Sequence, residues 1–226
     1  MKGIFNKYGI ILDEEKLNKF ELYYELLIKY NEMFNITAIT EKEEVYKKHF
    51  TDSLLGREFI KGNSVIDIGA GGGFPSIPLK ILNEDKSFIL VDATEKKCEF
   101  LREVILKLDL KNTEVICGRA EELGKNIKYR EKFDVCVSRA VARLNILCEY
   151  CIPFIKVGGS FVAYKGDAES EISEAENAIK ALGCKIEKIE NLSLEDAKRT
   201  IVEIKKIKNT ESKYPRANGR IRKNPL

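Results

Sequence analysis

Hydrophobic positions recur at helical spacing near the start of the chain. Between Asp13 and Phe34 the apolar side chains are three or four residues apart, at Leu17, Phe20, Tyr24, Leu27 and Tyr30. This spacing is typical of one face of an amphipathic helix. Asp13, which two glutamates follow, suits the N-terminus of that helix because an acidic side chain there can accept hydrogen bonds from free backbone amides.

A second helix is predicted from Glu41 to Phe59. Thr40 stands at the expected N-cap position, and Glu43 follows three residues later, which is the spacing of a capping box. The two helices together predict an N-terminal helical cap over residues 1–61.

After Gly62 the hydrophobic pattern changes. Short β-rich runs alternate with longer helical stretches over residues 62–207, as in βαβ units that build a mainly parallel sheet. The runs are Ser64–Ile68, Ser87–Val91, Thr113–Cys117, Phe133–Val137 and Ser160–Tyr164, followed by Cys184–Ile189 and Thr200–Ile207. Because no long helix separates the last two runs, they can pair as antiparallel strands. We expect an α/β fold in which helices flank a mixed sheet of about seven strands.

Charge is distributed unevenly along the chain. The 226 residues carry 39 basic and 36 acidic side chains, a net charge of +3, which excludes a uniformly basic nucleic-acid coat. From Lys205 onward, however, eight basic residues face only one acid, Glu211. We predict a basic C-terminal tail over residues 208–226 that contacts phosphates without forming a helix.

Several protein classes are disfavoured by composition. No apolar stretch approaches the roughly 20 residues that cross a membrane, and no export signal is evident, so we expect a cytoplasmic protein with no membrane partner. The six cysteines are interpreted as reduced thiols. Cys148 and Cys151 have the spacing of half a zinc knuckle, but the single histidine, His49, is distant, so no metal site is predicted.

A glycine-rich turn follows the first predicted strand. Its candidate binding residues are Asp67, Gly69, Ala70, Gly71, Gly73 and Phe74. Glycines at the carboxyl edge of a parallel strand allow a ligand to approach the backbone closely. The position that a dinucleotide fingerprint would fill with glycine is Phe74, and no P-loop lysine is present. Asp67 instead suits a ligand that carries an ammonium group.

The ends of the next three strands place further polar residues at the same edge. Asp92 ends the second strand, where an acid can accept hydrogen bonds from ribose hydroxyls. Ala120 and Glu121 follow the third strand, where an adenine edge would lie, and Arg139 ends the fourth. The order predicts binding of an amino-acid group, a ribose and a base. Asp92 and Glu121 as ordinary solvated acids remain the alternative.

The combination of Asp67-Ile-Gly-Ala-Gly-Gly-Gly with Asp92 and the Ala120-Glu121 pair resembles the Rossmann-like class I S-adenosylmethionine (SAM)-dependent methyltransferases. Further motifs extend the resemblance over the whole chain: Asn35-Ile-Thr37, His49-Phe-Thr-Asp-Ser53, Gly118-Arg-Ala-Glu121, Ser138-Arg-Ala140 and Tyr214-Pro-Arg216. With these, the chain is similar to the bacterial small-subunit rRNA guanine-N7 methyltransferases. The resemblance implies methyl transfer from SAM to N7 of a specific guanine in 16S rRNA.

The same resemblance implies roles for individual residues. Gly69, Phe74, Ala120, Glu121 and Arg139 would contact the cofactor, and the strand-edge argument adds Asp67, Gly71, Gly73 and Asp92. Arg139 is also the candidate catalytic residue, which orients the methionine carboxylate or the acceptor. A guanine N7 lone pair needs no general base, so alignment is the main requirement.

Candidate contacts to the RNA are Asn35, His49, Lys165, Arg199 and Arg216. The alternative for His49 is a structural histidine that pairs with Asp52 or a backbone carbonyl, and the alternative for Lys165 is a solvated lysine. Removal of tail cations is expected to weaken RNA binding and to leave cofactor affinity nearly unchanged.

The expected partner is 16S rRNA, either in the 30S subunit or in an assembly intermediate, and a monomer is expected. Two other functions stay open from sequence alone. One is methyl transfer to a small molecule, which would need an enclosed acceptor pocket. The other is an RNA-binding protein that has kept this fold without catalysis.

Overall fold

A computed structural model describes residues 1–139 and 141–226; Ala140, the last residue of the Ser-Arg-Ala motif, lies outside the described residues. The strands form one seven-stranded sheet in the order β3-β2-β1-β4-β5-β7-β6. Their bounds are β1 (Ser64–Ile68), β2 (Ser87–Asp92), β3 (Thr113–Cys117), β4 (Phe133–Arg139), β5 (Ile155–Lys165), β6 (Cys184–Leu194) and β7 (Ala197–Lys206).

Strands β1 to β5 pair in parallel, whereas β7 is antiparallel to both β5 and β6. This arrangement confirms the predicted mixed α/β sheet. The last three strands are longer than predicted because β5 begins at Ile155 and because β6 and β7 continue into a hairpin that turns between Leu194 and Ala197. Polar side chains alternate along much of β6, and this masked its length in the sequence.

Helices cover both faces of the sheet. They are α1 (Lys2–Lys7), α2 (Glu14–Phe34), α3 (Lys42–Val45), α4 (Asp52–Leu54), α5 (Ser76–Leu82), α6 (Glu95–Lys107), α7 (Ala120–Leu123), α8 (Leu144–Cys151), α9 (Glu169–Ala181) and α10 (Asn218–Lys223). Alternate residues of β1 enter opposite cores: Val65 packs on the side of α2 and α6, and Ile66 and Ile68 pack on the side of α8 and α9. Asp67 has the same orientation as Val65.

The first predicted helix is confirmed. It begins after Asp13, whose carboxylate accepts a hydrogen bond from the backbone amide of Lys16 at 2.8 Å, as expected of an N-cap. On its buried face, the ring of Tyr23 stacks on Phe50 and contacts Phe74. The Tyr23 hydroxyl donates a hydrogen bond to the Gly72 carbonyl. The helical cap is therefore attached directly to the glycine-rich turn.

The second predicted helix is wrong in detail. Residues 41–59 form α3, a π-helical stretch (Tyr46–Thr51), α4 and a 3₁₀ turn (Arg57–Phe59). The N-cap is Glu41, not Thr40, because the Glu41 carboxylate accepts hydrogen bonds from the backbone amides of Glu43 and Glu44. Hydroxyl groups cause part of the irregularity: Thr51 donates to the Tyr46 carbonyl at 2.8 Å and competes with regular α-helical bonding.

The expected irregular tail is also wrong, since Asn218–Lys223 forms α10 and the preceding chain is held to the domain. The Arg130 guanidinium donates to the carbonyls of Thr210, Glu211 and Tyr214. Lys206, which belongs to the same basic stretch, is buried and pairs with Glu131 at 2.7 Å. Glu131 is distant from Lys206 in the sequence, so charge counting could not reveal that this lysine is paired inside the fold.

The six cysteines are free thiols, and all but Cys117 are buried. Within the described ranges, no group of three or more histidine, cysteine or acidic side chains is arranged to hold a metal ion. None of the helices in those ranges has the length and apolarity needed to span a membrane.

Candidate active site

The glycine-rich turn lies at the carboxyl edge of β1. The amides of Gly69 and Ala70 both donate to the Val91 carbonyl of β2 at 2.9 Å, which fixes the start of the turn against the neighbouring strand. Gly73 adopts a φ of +91°, and a Cβ there would lie 2.6 Å from both Ile77 Cγ1 and the Tyr23 hydroxyl. Gly73 therefore allows the turn to pack under the helical cap.

Three cavities surround this edge. The first, of about 530 Å³, is the loop cavity, and six predicted site residues line it: Gly69, Ala70, Gly71, Phe74, Asp92 and Arg139. The second, of about 100 Å³, is the Ala120 cavity, which Gly69, Asp92, Ala120 and Glu121 line. Because Gly69 and Asp92 line both, the two cavities adjoin. The sequence-predicted order of turn, strand-two acid and Ala-Glu pair is thus present along one edge of the sheet.

Asp92 connects the turn to the second strand. Its side chain accepts hydrogen bonds from the amides of Gly71 at 3.0 Å and Thr94 at 2.9 Å, and it is 7% exposed. Each carboxylate oxygen has further acceptor capacity, so Asp92 can hold the turn and still accept hydrogen bonds from ligand hydroxyls.

Asp67 lies beneath the turn and lines neither cavity. It is completely buried, and neither carboxylate oxygen has a hydrogen-bond partner among the described residues. Burial raises its pKa to about 7, although the positive charge of Arg139 acts in the opposite direction. A buried carboxylate without a partner is costly when ionised, so a cation bound at this edge would stabilise the ionised form of Asp67.

Arg139 is the central charged residue of the site. It is the only described residue that lines both the loop cavity and a third cavity of about 320 Å³, the cap cavity. Its Nη1 donates to Asp52 Oδ2 at 2.6 Å, and its guanidinium carbon lies 5.1 Å from the centre of the Phe74 ring. Asp52, 7% exposed, also accepts a hydrogen bond from Arg199 Nε. One acid therefore orients two arginines.

His49 forms part of the same cluster. Its ring stacks on Phe74, with 4.4 Å between ring centres, and Nε2 lies 2.7 Å from the Thr37 hydroxyl. Burial, together with the charge of Arg139, lowers the pKa of His49 to about 4. His49 is therefore neutral near pH 7, and its Nδ1, 3.4 Å from Arg139 Nη2, can accept from that guanidinium. This environment suits a positioning role better than proton transfer.

The predicted RNA contacts fall into two groups. His49, Lys165 and Arg199 line the cap cavity, where Lys165 pairs with Glu171 at 2.7 Å. Asn35 and Arg216 do not line it. Asn35 is exposed at the end of α2, and Arg216 forms a double hydrogen bond with the buried Glu149.

Sequence reasoning missed several residues that build the site. Asp52 appeared only as a possible partner of His49, whereas the structure places it between Arg139 and Arg199. Glu171, which also accepts the Leu144 amide at 2.8 Å, gave no signal beyond its position in the first turn of a helix. Arg222 was counted only as part of the basic tail, yet it lines two cavities.

Comparison with known proteins identifies the family. Residues 16–202 match the GidB family model, described as rRNA small subunit methyltransferase G. The chain is 46% identical to ribosomal RNA small subunit methyltransferase G of Lactobacillus acidophilus, over 98% of this chain and 95% of that protein. The corresponding protein of Clostridium novyi is 49% identical, over 95% and 90%. The chain belongs to the rRNA small subunit methyltransferase G family. This membership confirms the family that the sequence motifs resemble.

Solved structures support the fold class. A SAM-dependent methyltransferase from Aquifex aeolicus has a TM-score of 0.56 at 17% identity, over 75% of this chain and 96% of that chain. M. jannaschii TYW2 in complex with AdoMet has a TM-score of 0.55 at 17% identity, over 69% and 77%. At this identity the likeness concerns the fold alone. It confirms the Rossmann-like class I methyltransferase fold that was predicted for this member of the methyltransferase G family.

Proposed function

We propose that this protein transfers a methyl group from SAM to N7 of a specific guanine in 16S rRNA. The observation that carries the proposal is the placement of Arg139 between two cavities, one formed by the glycine-rich turn and the other by cations of the helical cap and β7. Membership of the rRNA small subunit methyltransferase G family supports the same reaction.

The residues of the loop and Ala120 cavities fit this cofactor. Gly69, Ala70, Gly71, Phe74 and Arg139 would hold its amino-acid half, Asp92 its ribose, and Ala120 with Glu121 its adenine. The unpartnered carboxylate of Asp67, once ionised, would supply negative charge that favours the ammonium group. When bound, the cofactor supplies an electrophilic methyl group on a sulfonium sulfur.

We assign the acceptor base to the cap cavity, which has a volume of about 320 Å³ and adjoins the loop cavity at Arg139. Guanine N7 carries its lone pair in the ring plane, so the protein needs to align this atom and need not remove a proton. His49 agrees with that requirement because its lowered pKa keeps it neutral near pH 7 and its Nε2 already pairs with the Thr37 hydroxyl, so it is not set up to remove a proton.

Contacts to the RNA would come from His49, Lys165 and Arg199 in the cap cavity, with Asn35 exposed beside Ile36 of the loop cavity. Arg216 is held by Glu149, so we assign it to the attachment of the C-terminal segment and not to RNA. We also propose that the protein acts as a monomer. We propose 16S rRNA in the 30S subunit or an assembly intermediate as the substrate.

The direct test is methyl transfer in vitro. The purified protein, given SAM with a labelled methyl group, is expected to label 30S subunits or 16S rRNA from cells that lack the gene, and mass mapping should find the label as 7-methylguanosine at one nucleotide. Subunits from cells with the gene serve as the control because their site is already methylated. Label on another atom, on several guanines or only on small molecules would contradict the proposal.

Cofactor binding is expected to release a proton from Asp67. The ordinary pKa of this side chain is 3.8, and burial raises it to about 7. The raised pKa lowers the free energy of unfolding, and this loss becomes larger as the pH rises from about 4 to about 7. In this window Asp67 ionises in the unfolded chain but stays largely protonated in the folded protein. A bound cation should lower the pKa and favour ionisation, so affinity for the cofactor should fall from about pH 8 to about pH 6.

Calorimetric titration with S-adenosylhomocysteine, in buffers of different ionisation enthalpy near the pKa of about 7, measures this proton release. The isosteric variant Asp67→Asn is the control: it should bind more weakly, and the part of the pH dependence that belongs to Asp67 should disappear. Equal proton release and equal affinity in the two proteins would show that Asp67 does not respond to the ligand.

A further inference from the structure

The C-terminal helix α10 contributes to the cavities assigned above to the cofactor. Arg222, on this helix, lines both the loop cavity and the Ala120 cavity, together with Gly69 and Asp92. Asn218, also on α10, lines the Ala120 cavity. The segment predicted to be an RNA-binding arm therefore forms one wall of the cavity at the sheet edge.

The wall is fixed in place by several independent contacts. Arg216 Nη2 donates to Glu149 at 2.6 Å, and Glu149 is 1% exposed. The Tyr150 hydroxyl donates to Asn218 Oδ1 at 2.7 Å, so two residues of the Ala120 cavity bond to each other. Ile221 is completely buried in the core beside α8 and α9. Neighbouring residues on the helix therefore restrain the backbone that carries Arg222.

The charge of Arg222 is available to a ligand. Within residues 1–139 and 141–226, no acidic side chain forms an ion pair with it, and the side chain is exposed. This distinguishes it from Arg139, Arg199 and Arg216, each of which forms an ion pair with an acidic side chain. A guanidinium group is planar and weakly hydrated, so it can stack on a purine or donate hydrogen bonds to ribose oxygens.

We propose that α10 is the outer wall of the cofactor site and that Arg222 binds the adenosine half of the cofactor. This inference rests on the proposed function. The adenosine half is favoured because Asn218 and Tyr150, the neighbours of Arg222 in this wall, line the Ala120 cavity and not the loop cavity. The amino-acid half already has a cation nearby, Arg139. The proposal replaces the expectation that the cations of the tail leave cofactor affinity unchanged.

The variant Arg222→Ala tests the proposal. In the full chain it is expected to weaken binding of S-adenosylhomocysteine by about ten-fold, in the range of stacking and charge-assisted contacts. Arg220→Ala is the matched control because it removes the same side chain from the same helix at an exposed position that lines none of the described cavities. We expect its affinity to stay within about two-fold of the parent. Calorimetric titration measures both.

A second ligand separates the two halves of the cofactor. Methylthioadenosine lacks the amino-acid group, so a loss of affinity with Arg222→Ala that persists for this ligand supports contact with adenosine. A loss that appears only with S-adenosylhomocysteine would overturn the assignment and place Arg222 at the amino-acid half. Equal affinities of Arg222→Ala and Arg220→Ala would overturn the whole inference.

Two further measurements separate cofactor binding by Arg222 from a role in stability or in RNA binding. Thermal unfolding of Arg222→Ala should match the parent, because the exposed side chain supports no core contact. If both arginine variants weakened RNA binding equally and left cofactor binding unchanged, α10 would serve RNA and the inference would fail. If the parent protein bound neither ligand, the proposed function itself would be wrong. If the parent bound both ligands and Arg222→Ala bound them equally well, only the inference about Arg222 would be wrong.

Discussion

Replacing Arg139 by alanine is expected to lower kcat/KM for methylation of 16S rRNA by about 100-fold, the size of effect seen when one preorganised charged donor is removed. Arg139 lines both the loop and the cap cavities, and Asp52 fixes its guanidinium at 2.6 Å. Its loss should therefore disturb the alignment between the cofactor and the acceptor. Initial rates of methyl incorporation into 30S subunits measure the change.

Two variants sharpen this prediction. Arg139→Lys keeps the charge but cannot reproduce the planar contact with Phe74 together with the hydrogen bonds to Asp52 and His49, so it should recover little activity. Arg143→Ala removes an arginine whose exposed pair with Glu174 lies outside the three cavities, and it should behave like the parent. An Arg139→Ala enzyme within a few-fold of the parent would refute the central position of this side chain.

Replacing Asp52 by alanine is expected to lower the free energy of unfolding by about 3 kcal/mol, the scale measured when one member of a buried ionic cluster is removed. Asp52 is 7% exposed and is the acid that holds both Arg139 and Arg199. Without it, two guanidinium groups would remain close together without their counterion. Denaturant unfolding followed by circular dichroism measures the loss.

The control is Glu174→Ala, which also removes an acid that pairs with an arginine. Both members of that pair are about half exposed, so its loss should change stability by less than about 1 kcal/mol. Arg199→Ala in the Asp52→Ala background should recover part of the stability because it removes one of the unpaired charges. Equal stability of Asp52→Ala and Glu174→Ala would show that the cluster contributes nothing to the fold.

The parts of the structure that sequence could predict depend on local patterns. β1 and β3 have the predicted bounds because each is a short apolar run that a turn or a polar residue ends. The carboxyl ends of neighbouring parallel strands meet at one edge of the sheet, so the predicted strands also predicted which residues lie there. In the structure Gly69, Asp92 and Ala120 line adjoining cavities at this edge. These inferences needed only periodicity and the geometry of βαβ units.

The parts that sequence could not predict depend on contacts between distant residues. Asp52 and Arg199 are 147 positions apart, and nothing local marks either as the partner of the other. Likewise, nothing local marks the buried Glu149 as the partner of Arg216, a residue of the predicted basic tail. Part of the irregularity of residues 41–59 comes from the Thr51 and Ser53 hydroxyls, which donate to the carbonyls of Tyr46 and His49, and capping rules do not include this competition.

The position of β7 in the sheet has a consequence for biosynthesis. This strand inserts between β5 and β6, although it follows both in the chain, and it carries Arg199. During translation, β5 must therefore wait for its antiparallel neighbour until the ribosome has released both later strands from its exit tunnel. Such late, long-range pairing slows folding. A nascent chain would thus hold the first five strands before Arg199 of β7 could take its place in the cap cavity.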